Sequence, residues 1–240
     1  MGKTLRLASF DVGGGIFPSI QGYGIMVGTP MVFLRLHGCD FSCAWCDTKE
    51  TWREGSIFTE VDVEEVARKI AEFPETWVSV TGGNPLLQAD AIVDLIGLLP
   101  DKRFMVETQA SIHHSGLYRA IHLASFSPKL HDLRLDTLQE SFFPLQVERT
   151  PTQVNIVVTT EDETERALMV MLEIYRRWVA TSSYYRDLAP SPVFYLLPEF
   201  KTGRVGVQTA IRVLRDRMTA GFGLEVRILP QVHKLALFVP

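Results

Sequence analysis

The stretch Arg35-Leu36-His37-Gly38-Cys39-Asp40-Phe41-Ser42-Cys43-Ala44-Trp45-Cys46-Asp47-Thr48 decides the reading of this chain. It holds all three cysteines of the sequence within eight residues, spaced C-x3-C-x2-C. A disulfide framework spreads its cysteines along the chain to close loops, and an odd cluster in one loop does not. Three readings of the cluster compete. Small buried hydrophobes can be neighbours by coincidence. A structural zinc site wants four closed ligands, with His37 as the available fourth, but no second C-x2-C follows. An iron–sulfur cluster with an incomplete protein ligand set needs only the three thiolates.

Outward from this loop, apolar runs alternate with helical patterns. Met31–Leu36 reads as a strand leading into the cysteines. Val63, Val66, Ala67, Ile70 and Phe73 recur at helical spacing, with Asp62 or Thr59 as the cap. Further strands are predicted at 77–80, 104–106, 122–126, 154–158, 193–197 and 224–229, and helices at 89–99, 117–121, 161–179 and 207–218. Repeated β–α units imply a parallel sheet, open or closed. Polar motifs follow successive strands: Cys46-Asp47-Thr48, Thr81-Gly82-Gly83-Asn84-Pro85, Glu107-Thr108, Ser127-Pro128-Lys129 and Gln231-Val232-His233-Lys234. The fold class expected is α/β, a partial TIM-like barrel of parallel β-α units with its chemistry at the C-terminal mouth, in one domain over residues 1–240. No G-x-G-x-x-G with a downstream acid supports a dinucleotide fold. Residues 11–15, DVGGG, read as a turn, and residues 181–192 as the mobile loop.

Composition agrees with a globular protein: 240 residues, 46% hydrophobic, 22% charged, net charge −4. The mild acidity argues against broad nucleic-acid binding, which needs a basic face. No apolar stretch approaches the ~20 residues of a membrane span. The opening MGKTLRLASFD lacks the apolar core of a signal peptide, so a cytoplasmic chain is expected.

With its aromatic Trp45 before the third cysteine, the loop resembles the radical S-adenosylmethionine superfamily. In that superfamily three thiolates hold a [4Fe–4S] cluster and leave one iron open to S-adenosylmethionine. The flanks narrow the resemblance. Pro18–Gly24 (PSIQGYG), Arg35 to Cys39, Cys46-Asp47-Thr48 with Thr51-Trp52, GGNP, ETQAS, SPK and His233-Lys234 occur in the order of the 7-carboxy-7-deazaguanine synthase family. That resemblance runs from about Ile16 to Lys234. It implies ring contraction of 6-carboxy-5,6,7,8-tetrahydropterin to 7-carboxy-7-deazaguanine with loss of ammonia, on the way to queuosine-type nucleosides. It also implies a [4Fe–4S] cluster, S-adenosylmethionine and Mg²⁺ as cofactors, a flavodoxin or ferredoxin as electron donor, and a homodimer.

Carried residue by residue, the resemblance makes Cys39, Cys43 and Cys46 the cluster ligands and Thr48 the Mg²⁺ ligand, ahead of Asp47. Gln21, Arg35, His233 and the Pro240 carboxylate fall to the substrate, with the Arg35 guanidinium on its carboxylate. Trp45, Gly82, Gly83, Asn84, Thr108, Ser111, Ser127 and Lys129 fall to S-adenosylmethionine, with Glu107 beside them. Gly82 and Gly83 are expected to let the backbone approach the methionine amino group. Without the resemblance, Arg35 reads as a surface strand arginine with an acidic partner, and His113-His114 as an exposed turn. Three positions depart from the family pattern: Tyr23 stands for the Glu of Q-G-E-G, Asn84 for the Glu of G-G-E-P, and Ala110 for the Gly of E-T-x-G-S. The Tyr23 departure removes a carboxylate from the pterin edge. A glycyl-radical activase shares the cysteine motif but lacks the IQG segment and the CDT position. A zinc-bound interaction module is the non-enzyme alternative.

Overall fold

In the computed structural model, residues 3–8, 15–182 and 190–231 are described, the side chain of residue 182 excepted. Among these residues ten strands form one sheet. They are β1 (Thr4–Ala8), β2 (Ile16–Ile20), β3 (Pro30–Leu36), β4 (Phe58–Asp62), β5 (Trp77–Gly82), β6 (Arg103–Thr108), β7 (Leu123–Phe126), β8 (Thr152–Val158), β9 (Val193–Pro198) and β10 (Val226–Ile228). Seven helices accompany them: α1 (Val63–Ala71), α2 (Ala89–Leu98), α3 (Ser115–Ala120), α4 (Leu135–Glu140), α5 (Phe142–Val147), α6 (Glu161–Ser182) and α7 (Gly203–Thr219).

The sheet order is β10-β9-β8-β7-β6-β5-β3-β1-β4, with β2 paired to β3. From β3 through β10 every neighbour is parallel, while β1 and β2 run antiparallel to β3 and β4 antiparallel to β1. The sheet is open, ending at β10 and β4. This is the incomplete barrel expected from the strand–helix alternation. Phe200, just past β9, lines the same pocket as Phe17 on β2, so the sheet curls enough to bring distant strands to one mouth.

Strand alternation sorts the residues onto two faces. On β3, Val32, Leu34 and Leu36 join the main core, and the neighbouring strands add Val78, Val80, Phe104, Val106, Val154 and Ile156. Helices cover this face with Val66 and Ile70 of α1, Ile92 and Leu95 of α2, and Leu168, Met171 and Trp178 of α6. Each such fully buried side chain contributes about 1.5–3 kcal/mol. The opposite face starts apolar, with Phe17, Met31, Phe33, Met105 and Leu123 in a second cluster. It turns polar toward the C-terminal strand ends, where Arg35, Thr81 and Glu107 follow in register. Arg35 pairs with Thr81, and the Val80–Val106 pair sets Thr81 beside Glu107. The same face also buries Ser79 in mid-strand and Gln153 and Asn155 on β8, the last two donating to Ser125 Oγ at 2.9 and 3.0 Å.

Strands β1, β2 and β4 and the short helices α4 and α5 were not anticipated. β4 (FTEVD) buries only Val61, so it has no apolar run to detect, and β2 carries Pro18. Asp62 occupies the N-cap position of α1 without capping through its side chain. The Val63 N–H donates instead to the Lys3 carbonyl at 3.1 Å, since β4 feeds α1 directly. Of the 11–15 turn only Gly15 is described, with φ 85°. Most of the 181–192 loop lies outside the described residues.

Candidate functional site

The C-terminal ends of β3, β5, β6 and β7 open onto a pocket of about 500 Å³. The cysteine loop leaves β3 and is pinned from both sides. Gly38 N–H donates to the Thr51 carbonyl at 2.7 Å, and Asn84 N–H donates to the Gly38 carbonyl at 2.7 Å. Cys39, Cys43 and Cys46 are free thiols, and all three line the pocket. Each has a polar neighbour. Gln109 Nε2 lies 3.3 Å from Cys39 Sγ, His131 Nε2 3.8 Å from Cys43 Sγ, and the Thr48 N–H donates to Cys46 Sγ at 3.4 Å. Burial pushes the Cys39 and Cys43 thiols up from their ordinary value.

Among the described residues no three His, Cys, Asp or Glu side chains converge on a single-ion position. His37 stacks on Phe58, with centroids 4.7 Å apart, and is not on the pocket wall. The thiols therefore face one cavity without forming a closed tetrahedral set, which fits a multi-iron cluster better than one zinc ion.

Beside the thiols, Lys129 is half-buried with its Nζ 2.9 Å from Ser127 Oγ and 5.0 Å from the centre of the Trp45 ring. Burial lowers its pKa, and the surrounding thiols and Asp47 act the other way. Across the pocket, a turn after β2 carries Gln21 and Tyr23. Gln21 N–H donates to the Thr29 carbonyl and Ile25 N–H to Gln153 Oε1, which fixes the turn against β8. Gln21 Nε2 donates to Glu107 Oε1 at 2.7 Å, and Tyr23 hydroxyl to Glu107 Oε2 at 2.9 Å. Thr81 hydroxyl adds a third donor at 3.3 Å. Burial, and then the Glu107 charge, push the Tyr23 phenol well above its usual pKa, so it stays a neutral donor. Arg35 lies over the Phe17 ring at 5.0 Å; burial lowers its pKa, while Asp47 and Glu107 oppose the shift.

A family profile described as "4Fe-4S single cluster domain" matches residues 20–119, the cysteine loop and the first β-α units. The 7-carboxy-7-deazaguanine synthase of Thermoplasma acidophilum is 29% identical over 226 residues, covering 92% of this chain and 94% of that protein. That of Methanopyrus kandleri is 30% identical over 251 residues, covering 94% and 93%. The chain belongs to the 7-carboxy-7-deazaguanine synthase family. Among solved structures, the crystal structure of QueE from Escherichia coli superposes with TM-score 0.65 at 20% identity, covering 96% of this chain and 95% of that one. Streptococcus suis SuiB bound to its precursor peptide SuiA shares the fold at TM-score 0.57 and 13% identity, over 82% of this chain and 48% of that one.

Most residues carried over from the 7-carboxy-7-deazaguanine synthase pattern meet at this pocket. Gln21, Arg35, Trp45, Thr48, Gly82, Gly83, Thr108, Ser127 and Lys129 all line it. Thr48 presents a hard hydroxyl oxygen next to Asp47, a donor set that fits Mg²⁺. Asn84 and Ser111 sit one layer further back. Both are buried and off the pocket wall. Asn84 Oδ1 accepts from the Thr108 hydroxyl at 2.9 Å and from Leu86 N–H at 3.3 Å, while its amide donates to Ser111 Oγ at 2.9 Å and Asp40 Oδ1 at 2.8 Å. It is a hub behind the wall.

The two glycines also have a packing role. A Cβ on Gly82 (φ 125°) would stand 2.1 Å from the Leu36 carbonyl oxygen, and one on Gly83 1.9 Å from that of Gly38. The glycines let β5 close on the cysteine loop itself. His233 and Pro240 lie outside the described residues. His114 caps α3 by accepting from Leu117 N–H at 3.0 Å, as suits a turn rather than a metal pair. Sequence reading missed Gln109 as a thiol neighbour. Its position between Thr108 and Ala110 gave no signal, since the contact depends on how the chain turns after β6.

Proposed function

We propose that this chain is a radical S-adenosylmethionine enzyme that converts 6-carboxy-5,6,7,8-tetrahydropterin to 7-carboxy-7-deazaguanine with loss of ammonia, a step towards queuosine-type nucleosides. The observation that carries the reading is the meeting of three free thiols, Arg35 and Lys129 at one pocket in a chain of this family. Cys39, Cys43 and Cys46 hold the [4Fe–4S] cluster, and Thr48 holds Mg²⁺. When bound, the cluster and S-adenosylmethionine supply reductive cleavage of a sulfonium to a carbon radical that takes a hydrogen atom from a C–H bond.

The protein's part is binding, orientation and exclusion of water. Arg35 meets the substrate carboxylate as a bidentate donor. Lys129 meets the cofactor carboxylate from the Trp45 side. The Glu107 carboxylate, held by Gln21, Tyr23 and Thr81, faces the N–H groups of the pterin edge in place of the carboxylate lost at Tyr23. Phe17 and Phe33, with centroids 5.7 Å apart, form the dry wall beneath Arg35. His233 and the Pro240 carboxylate complete the substrate side. Residues 1–240 act as a single cytoplasmic catalytic domain, paired as a homodimer and fed electrons by a flavodoxin or ferredoxin.

Anaerobic incubation of the iron-reconstituted protein with S-adenosylmethionine, Mg²⁺, a reductant and the carboxytetrahydropterin tests the reading by product mass. Appearance of 7-carboxy-7-deazaguanine is the expected result. Cofactor cleavage with the pterin returned unchanged would exclude this substrate.

A further inference from the structure

Gln109 follows the end of β6 and precedes Ala110, whose φ of 60° lies in the left-handed region. A side chain there costs roughly 1–2 kcal/mol, which glycine would avoid. The turn carries the Gln109 amide back across the cysteine loop. Its Nε2 stands 3.3 Å from Cys39 Sγ and 3.0 Å from Asp40 Oδ1. Both neighbours are acceptors, so an NH₂ group with two hydrogens satisfies them together. Asp40 is held in turn by Asn84 Nδ2 at 2.8 Å, and Asn84 by the Thr108 hydroxyl at 2.9 Å. A glutamate at position 84 would confront Asp40 with a like charge and no donor. The two departures at Asn84 and Ala110 therefore belong to one chain of contacts that ends on a cysteine sulfur.

We propose that Gln109 is a positioning residue for the cluster: its amide N–H donates to the Cys39 sulfur and makes the cluster easier to reduce. The inference rests on the cluster reading above. Adding one electron increases the negative charge shared with the thiolates. A donor aimed at sulfur stabilises that charge and raises the reduction potential. Asp40 and Asn84 keep the donor aimed.

The test is an EPR-monitored redox titration of reconstituted protein with dithionite, without S-adenosylmethionine. Gln109→Met keeps side-chain length and removes the donor. Gln109→Glu keeps the carbon skeleton and replaces the donor with an acceptor. Both are expected to hold iron like the wild type and to titrate at a more negative midpoint. The expected tenfold loss in the reduction equilibrium corresponds to about 59 mV for one electron. Wild-type midpoints in variants that keep their iron overturn the inference and leave the function standing. So does loss of the cluster from both variants, since Gln109 then merely holds the loop. A wild-type protein that takes up no iron overturns the function reading and the inference together.

Discussion

Three donors converge on the Glu107 carboxylate, and that convergence explains why a tyrosine is tolerated at position 23. A glutamate there would place a second carboxylate beside Glu107, whereas the phenol donates to it at 2.9 Å. A hydrogen bond to a charged group contributes about 1.5–3 kcal/mol. Tyr23→Phe is thus expected to lower unfolding free energy by up to about that amount, read from a urea midpoint of the apo-protein. An unchanged midpoint would mean that water replaces the phenol without loss. Arg35 gives the sharper functional test. Arg35→Ala should keep iron content and lose turnover by on the order of 10²-fold or more, because the substrate carboxylate is no longer positioned. Wild-type-like turnover would remove Arg35 from the site. The cysteine loop was legible because three thiols within eight residues are unusual chemistry, whereas Arg35 and Thr48 were singled out only by the family resemblance. The hydrogen-bond hub at Asn84 was not legible because sequence order does not show that Thr108, Ser111 and Asp40 would meet at its amide.

At the scale of elements, the cysteine loop depends on the strand that packs beside it. β5 ends at Gly82 and is followed by Gly83 because the backbone of Leu36 and Gly38 occupies the space a side chain would need. Gly83→Ala places a Cβ 1.9 Å from the Gly38 carbonyl oxygen, and backbone cannot yield as a flexible side chain can. The variant is expected to lose iron uptake and to unfold at markedly lower denaturant than the wild type; normal iron content would show that the loop position is not set by this contact. At Ala110 the opposite holds. Ala110→Gly should stabilise the apo-protein by roughly 1 kcal/mol by removing the left-handed penalty. A thermal or urea midpoint checks the sign. The strands and helices that line the site were readable because buried parallel strands are near-continuous apolar runs and their helices keep a strong period. β4 and the six-residue helices α4 and α5 escaped because an exposed edge strand and very short helices carry too little pattern.

For the whole molecule, one face of an open sheet is packed by helices, while the other carries its charged side chains to the pocket at the C-terminal strand ends. That arrangement brings the thiols, a half-buried lysine, Arg35 and a held carboxylate to a single mouth. No helix among the described residues is long and apolar enough to cross a membrane. The curl of the sheet, which brings Phe200 and Phe17 to one pocket, was not visible in strand spacing alone, since it depends on twist accumulated over many strands. The central claim is that Cys39, Cys43 and Cys46 hold a four-iron cluster with one iron open to S-adenosylmethionine. Anaerobic reconstitution followed by iron analysis and EPR of the reduced protein, with and without S-adenosylmethionine, tests it directly. The account predicts about four irons per chain and a spectrum altered by S-adenosylmethionine. One zinc ion per chain, or an iron signal indifferent to S-adenosylmethionine, would contradict it.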